Sequence, residues 1–451
     1  MVKRTAVKNI REFLVNKLIA AFSFMLLAAR VAVAADDLDI TGNWEVVTTY
    51  NGGLPATAGL EITRDGDKYA GKSGWLVPSV APFEYTGARE KDGVRLTVSF
   101  PDGHKFGELV LRIRRGVLEG SGNLHGVPVS LTGHRPRVRA ANAPRVHDFA
   151  PTTFYRVISG ALPPALRIFP GDTVRTETVD AGGIDKNDKP RQMWGNAVTG
   201  PFYVEGAMPG DTLAVHFNRI RPNRKWASQQ RAVIHAAALP SGAPQSFDKD
   251  WANLWTLDLD KGTATPDAPS ERLKNLSIRL EPMLGVVAVA PFWDQVSTPP
   301  DLGRWGGNLD YNQVREGTTI YFTVYQAGAH LFIGDGHARQ GDGEITGQGL
   351  EISMDVEFTV DVIKGLYLDQ PWLENSEYVM VCGIAGSLDG AMQAATAGLS
   401  KWLAQHYKIT DAEIATLLAN SIRYDIAEVV DPHINVVAKI SKEVLAQLPR
   451  P

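Results

Sequence analysis

The densest concentration of reactive side chains in this sequence is Gly334-Asp335-Gly336-His337-Ala338-Arg339-Gln340-Gly341-Asp342-Gly343-Glu344. Asp, Glu and His supply oxygen and nitrogen ligands for a divalent cation. Asp335 and His337 stand two apart, so in an extended stretch they share a face. The interspersed glycines free the backbone to take positive φ and bring such side chains together. The same residues also suit a polar hairpin whose acids only accept bonds from backbone amides. Residue types alone leave both readings open.

The segment follows a short apolar run, Leu331 to Ile333, and reads as a loop at the end of a strand. After it, Leu350, Ile352, Met354, Val356, Phe358, Val360 and Val362 alternate with Glu351, Ser353, Asp355, Glu357, Thr359 and Asp361. That unbroken period of two predicts a long half-buried strand. Pro170-Gly171-Asp172 and Pro209-Gly210-Asp211 are repeated turn signals, each followed by Thr and a strand-like run. Helices come late. Asp389 to Tyr407 carries Met392, Ala395, Leu399, Trp402 and Leu403 at helical spacing. Thr410-Asp411-Ala412-Glu413 is a capping box opening a second helix through Asn420.

Nearer the N-terminus, short β-branched runs alternate with Asp-Gly turns, as in Asp65-Gly66-Asp67 and Pro101-Asp102-Gly103. They read as a small antiparallel sheet or barrel. Its opening Gly42-Asn43-Trp44 is similar to lipocalin-like barrels. The predicted class is β-rich α+β, with a small barrel-like N-terminal domain before a larger β-sandwich-like domain with C-terminal helices. The expected division is a signal peptide over 1–34, the small β domain over 38–136, a Pro- and Arg-containing linker over 137–150, and the large domain over 151–451.

Upstream of the acidic segment stand Gly306-Gly307-Asn308-Leu309-Asp310, then Gly317, a strand-like run Thr319 to Tyr325, and Gly328-Ala329. This order resembles the acetamidase/formamidase family, in which a Gly-Gly-Asn-Met-Asp stretch and a strand precede a Gly-Asp-x-His-Ala-x-x-Gly-Asp-Gly-Glu loop. Leu309 takes the place of the usual Met. Gly200 to Ala207, Pro282 to Pro291 and the acids Asp425 and Asp431 extend the likeness over about two-thirds of the chain. The resemblance implies hydrolysis of short linear amides, of the formamide and acetamide kind, to a carboxylate and ammonia. It implies Asp310, Asp335 and His337 as ligands of a divalent metal ion, zinc or calcium foremost. Glu344 or Asp342, with His337 beside them, would handle the proton; spacing does not separate ligand from base. Asp180, before Ala181-Gly182-Gly183, matches an acidic site position, and Trp305 and Phe292 flank the motifs where an acyl pocket could lie.

Other amidase designs are excluded by residue type. No Gly/Ser-rich nucleophile loop, H-E-x-x-H or G-x-S-x-G is present. Cys382, the one cysteine, sits in the apolar run Tyr378 to Cys382 without the Lys and Glu that a cysteine amidase needs. An exported metal- or small-ligand-binding protein on a hydrolase scaffold, or a hydrolase of another amide, remains the alternative. Composition is that of a folded protein, 44% hydrophobic and 21% charged with a net charge of −4. That balance calls for no nucleic-acid partner. Lys3, Arg4, Lys8, Arg11 and Lys17 precede the apolar run Leu18 to Ala29 and Ala32-Val33-Ala34, the pattern of a cleaved signal peptide. A periplasmic or secreted protein is expected, without stable membrane insertion after cleavage, acting on a small-molecule amide as a homo-oligomer.

Overall fold

The computed structural model describes residues 39–53, 55–73, 83–91, 93–139, 143–239, 252–292 and 295–449. The expected signal peptide lies outside them. Among the described residues no helix is long and apolar enough to cross a membrane. The fold comprises two compact units, a barrel and a body made mainly of the chain from Pro136 onward.

The short N-terminal runs become eight strands: Gly42–Tyr50, Pro55–Asp65, Lys68–Ser73, Glu84–Glu90, Gly93–Ser99, Lys105–Arg114, Val117–Leu124 and Val127–His134. Each pairs with the next and the sheet closes into a barrel. Strand alternation turns Val94, Leu96 and Val98 inward with Leu109, Leu111 and Leu118, all buried. Side chains fill this interior so closely that a Cβ at Gly120 would lie 2.4 Å from Leu111 Cδ2. Trp44 donates its indole N–H to Ile40 O at 2.8 Å, and the Arg135 guanidinium lies 4.3 Å over the ring.

The second unit packs a nine-stranded sheet against an eleven-stranded sheet. In the first, Met354–Ile363 is an interior strand, flanked by Thr173–Glu177 on one side and Thr212–Pro222 on the other. In the second, Leu331–His337 lies between Val198–Val204 and Met283–Ala288, and its end also pairs with Glu351–Ile352. One core joins the sheets, with Phe217, Phe322 and Phe358 from the first and Phe202, Val287 and Ile333 from the second. Phe202 and Phe358 meet edge to face at 5.2 Å. Helix Leu388–Tyr407 buries Ala395, Leu399, Trp402 and Leu403 against the outer face of the nine-stranded sheet, while Met392 is exposed. Gly383 makes this approach feasible, because a Cβ there would stand 2.0 Å from Ala391 O. The capping box forms as expected, with Thr410 and Glu413 bonded reciprocally at the start of Asp411–Ser421.

Two expectations are corrected. The alternating run is interrupted: Leu350 to Ser353 are all buried, and the half-buried strand proper begins at Met354. The stretch expected as a linker is partly built into the second unit, where Val146–Asp148 pairs in parallel with Thr173–Glu177. Its anchor is Asp172 of the Pro-Gly-Asp turn. One oxygen accepts from Arg139 and the Arg145 amide at 2.7 and 2.8 Å; the other accepts from the Phe169 amide and meets His147 Nε2, both at 3.0 Å. Asp211 repeats the turn, accepting from the Met208 amide at 2.9 Å.

Burial opposes ionisation of Asp172, but the two backbone amides, His147 and Arg139 outweigh it and hold its carboxyl down to about 2. A folded-state value below the unfolded one means that this carboxylate adds stability above about pH 4, lost as the pH falls toward 2. The difference is about 2 kcal/mol. Asp172→Asn should lower the unfolding free energy read from urea denaturation at neutral pH by that order, with the gap from the parent narrowing below about pH 4. A gap that stays constant with pH would show that the carboxylate charge is not the source.

Candidate active site

Strand Leu331–His337 is buried along its whole length, so Gly334 to His337 belong to a strand end rather than to the loop expected there. Glycine makes this packing feasible, since a Cβ at Gly336 would stand 2.3 Å from Met354 Cγ. Asp335 and His337 do share a side, with Nε2 to Oδ2 at 3.5 Å. Register then adds a group that the sequence pattern assigned to the solvent side of a strand. Glu351 is paired with His337 across the ladder, and its carboxylate reaches Nε2 at 3.2 Å. Asp310, just past strand Gly306–Asn308, and Glu344 complete the ring, and Asp431 approaches through Asn308.

The backbone bends to bring these groups together. Eleven described non-glycine residues have positive φ, and four of them are Asn196, Asp310, Asp335 and Glu344. Such conformations gather at functional sites because surrounding structure must enforce them. Gly343, at φ +79°, separates two neighbouring acids by direction: Glu344 is buried in the cluster, while Asp342 is exposed and accepts from Asn312 Nδ2 at 2.7 Å. Asp342 therefore lies outside the buried cluster.

Amides hold the acids apart. Asn196 donates to Asp335 Oδ2 at 2.9 Å, and Asn308 donates to Asp310 Oδ2 and, at 2.8 Å, to Asp431 Oδ2. Gln340 donates its amide N–H groups to the carbonyls of Asp310 and Ala427 at 2.5 and 3.2 Å. Its Oε1 can then only accept, so His337 Nδ1, 2.8 Å away, carries a hydrogen. That leaves Nε2 facing Asp335 and Glu351. His337 Nε2, Asp335 Oδ1, Glu351 Oε2 and Asp310 Oδ1 are buried and have no hydrogen-bond partner among the described residues.

Buried carboxylates this close cannot all ionise unaided. Burial, then Glu344, push Asp310 well above its ordinary value. Burial drives Glu344 up to about 8, Glu351 to about 7 and Asp431 to about 9. Burial alone would disfavour the His337 imidazolium, but Glu351 and Asp335 outweigh it and raise that group well above its usual range. The arrangement suits a cation. Asp335, His337 and Glu351 each offer one atom within 4.8 Å of the others, and Asp310, His337 and Glu344 do likewise. The first set fits a metal better, because Nε2 is free while Nδ1 is bound to Gln340. Glu351, 3.2 Å from Nε2, and Asp310, 3.8 Å from Nδ1, thus stand on opposite sides of the imidazole. A cradle lies open at Gly285, where a Cβ would stand 2.4 Å from Asp310 Oδ1 and 2.5 Å from Asp335 Oδ2.

A cavity of about 760 Å³ opens above the cluster, lined by Asp335, Glu344, Glu351, Asn308 and Asp431 together with Asp180, Trp194 and Trp226. Asp180 reaches this wall, but both its oxygens are committed, to the Ile184 amide at 2.8 Å and to Arg224 at 2.5 Å. Through the second of these bonds it anchors Arg224. Trp305 is not on the wall; it packs beside the buried cluster of Val286, Ala288 and Phe332, and Phe292 packs 5.9 Å from Tyr325. Sequence reasoning missed Glu351, Asp431, Asn196 and the two cavity tryptophans. The available signals were Glu351 at the boundary of an otherwise regular alternation and Asp431 among the acids of the family likeness.

Residues 294–441 match the Acetamidase/Formamidase family. The chain is 26% identical to a candidate formamidase of Schizosaccharomyces pombe and 25% identical to a formamidase of Methylophilus methylotrophus, each over 45% of this chain. It spans 62% of the length of these curated relatives. The solved structure of an acetamidase from Yersinia enterocolitica aligns with a TM-score of 0.59 at 28% identity, covering 69% of this chain and 96% of that one.

The site sets its own stability test. His337 is only 1% exposed between carboxylates, so His337→Ala should cost the metal-free protein about 3 kcal/mol, the order seen when a buried charge loses its partner. Urea unfolding in excess chelator measures this; a loss below about 0.5 kcal/mol, as for a surface residue, would show that the imidazole does not balance the acids.

Proposed function

We propose that this chain, whose C-terminal residues 294–441 belong to the acetamidase/formamidase family, hydrolyses the carbon–nitrogen bond of linear amides to a carboxylate and ammonia. The observation that carries this reading is the unsatisfied set of Asp335, His337 and Glu351 at the floor of an open cavity, with Glu344 beside it. Asp335, His337 and Glu351 would hold a divalent cation; a mixed nitrogen and oxygen set suits zinc better than calcium, which prefers oxygen alone. When bound, such a cation supplies Lewis acidity to an amide carbonyl and makes water easier to deprotonate.

The protein's own groups do the rest. Glu344 accepts a proton from the attacking water and returns it to nitrogen, so the leaving group departs as ammonia rather than as an amide anion. Gln340 holds His337 in the tautomer that presents Nε2 to the cation, the supporting bond that metal-binding imidazoles need. Asn196 fixes Asp335, and Asn308 bridges Asp310 and Asp431, so the acids keep their spacing when the protonation state changes.

Two substitutions separate the roles. Glu344→Gln should reduce turnover of a linear amide by about 10²- to 10⁴-fold with bound metal retained. Glu351→Gln should lose metal and activity together, read by elemental analysis of the purified protein alongside ammonia release. Loss of metal from the Glu344 variant would make Glu344 a ligand and sink its assignment as base.

The basic and apolar N-terminus further supports export to the periplasm or beyond, with cleavage after Ala34. The intact mass of the exported protein should then correspond to a chain beginning at Ala35; retention of residues 1–34 in a membrane fraction would refute this.

A further inference from the structure

The cavity is far larger than the smallest amides need. Formamide and acetamide fill roughly two to three water volumes of about 30 Å³ each, against about 760 Å³ here. A space of that size is typical of sites for much larger ligands. Its two ends also differ in chemistry. The floor is buried and acidic, with Asp335, Glu344 and Glu351. The outer wall carries two indoles, the half-buried Trp226 and Trp194, which is 72% exposed.

Both indoles sit on pinned backbone. Trp226 donates its N–H to Asp188 Oδ1 at 2.8 Å, and the Arg224 guanidinium lies 3.7 Å over its ring. Trp194 ends a turn in which Asp185 accepts from the amides of Asn187 and Lys189 and from Arg191, and the Gly195 amide closes onto Ala181 O at 2.9 Å. Two residues on, Asn196 bonds Asp335. The turn that orients a carboxylate at the floor therefore also sets an apolar ring on the wall. A large exposed aromatic face beside a reactive floor suits a flat apolar group.

We infer that the substrate is a primary amide whose acyl side carries an aromatic ring, which stacks on Trp194 while its carboxamide reaches the acids. This rests on the amidase reading above and narrows its substrate class. In the reaction, water's oxygen bonds to the acyl carbon, the carbon–nitrogen bond breaks, and both of water's protons end on nitrogen; the products are an aryl-bearing carboxylate and ammonium, with no change of oxidation state.

The test compares kcat/KM for phenylacetamide and acetamide in the parent protein, Trp194→Ala and Trp194→Phe. The parent should favour phenylacetamide by about tenfold or more, within the range that an apolar contact can discriminate. Trp194→Ala should cut that ratio at least tenfold, and Trp194→Phe should keep most of it. Equal or better use of acetamide by the parent, or an unchanged ratio in Trp194→Ala, overturns the inference. Calorimetric binding of phenylacetamide supplies a readout that does not need turnover. If no amide is hydrolysed, the amidase reading fails; phenylacetamide binding that weakens about tenfold in Trp194→Ala but not in Trp194→Phe still supports the aromatic subsite. No binding, or equal binding by all three proteins, overturns it. Dissociation of an oligomer by Trp194→Ala, seen by sedimentation, would also overturn it, because the ring would then serve a second copy of the chain.

Discussion

Four carboxyl groups buried around one imidazole form the constraint to which much of the second unit answers. Packed acids repel one another, and burial removes the water that would screen them. The structure meets this cost with fixed amides rather than with arginine or lysine. Asn196, Asn308 and Gln340 donate to carboxylates or to nearby carbonyls and leave one direction open toward His337 Nε2. A guanidinium in that direction would neutralise the acids and close the site to any other cation. Arg224 is instead bound to Asp180, a residue of the cavity wall.

Such crowding needs a rigid frame, and the paired sheets supply it. Leu331–His337 runs through the middle of its sheet with neighbours on both sides, so Asp335 and His337 cannot swing away from Glu351. Glycines at 285, 336 and 349 make room where a Cβ would touch Asp335, Met354 or His337. Left-handed backbone at Asp310, Asp335 and Glu344 aims carboxyl groups from separate segments into one volume. These conformations are costly locally and persist because apolar burial between the sheets holds the frame around them.

At the margins of the unit, simpler devices recur. Asp172 and Asp211 each cap the Pro-Gly-Asp turn in which they stand, and Asp172 also anchors the chain arriving from Arg139 to His147. The cavity follows the same economy, since the turn pinned by Asp185 places both Asn196 and Trp194. A ring on the cavity wall and the amide bonded to Asp335 thus share a few residues of backbone.

The sequence by itself determined the local features, because their causes are local. Alternation within Met354–Ile363, inward-facing residues in the barrel strands, the Thr410 capping box and the Pro-Gly-Asp turns each depend on neighbours a few residues away. The acidic segment from Asp335 to Glu344 and the acid at Asp310 could also be singled out, by residue type and by family likeness. Choosing among them needed tertiary structure. Asp342 and Glu344 are alike in charge and two apart, yet one backbone turn at Gly343 sends the first to solvent and the second inward. Glu351 reads as the polar side of a strand, and only pairing with His337 across the sheet buries it in the site. Asn196 and Asp431 lie more than a hundred residues from the groups they serve, and Trp194 rather than Trp305 lines the cavity. A pattern of periods and motifs carries the direction of a side chain relative to its own strand; which strand lies opposite is decided by the packing of the whole unit.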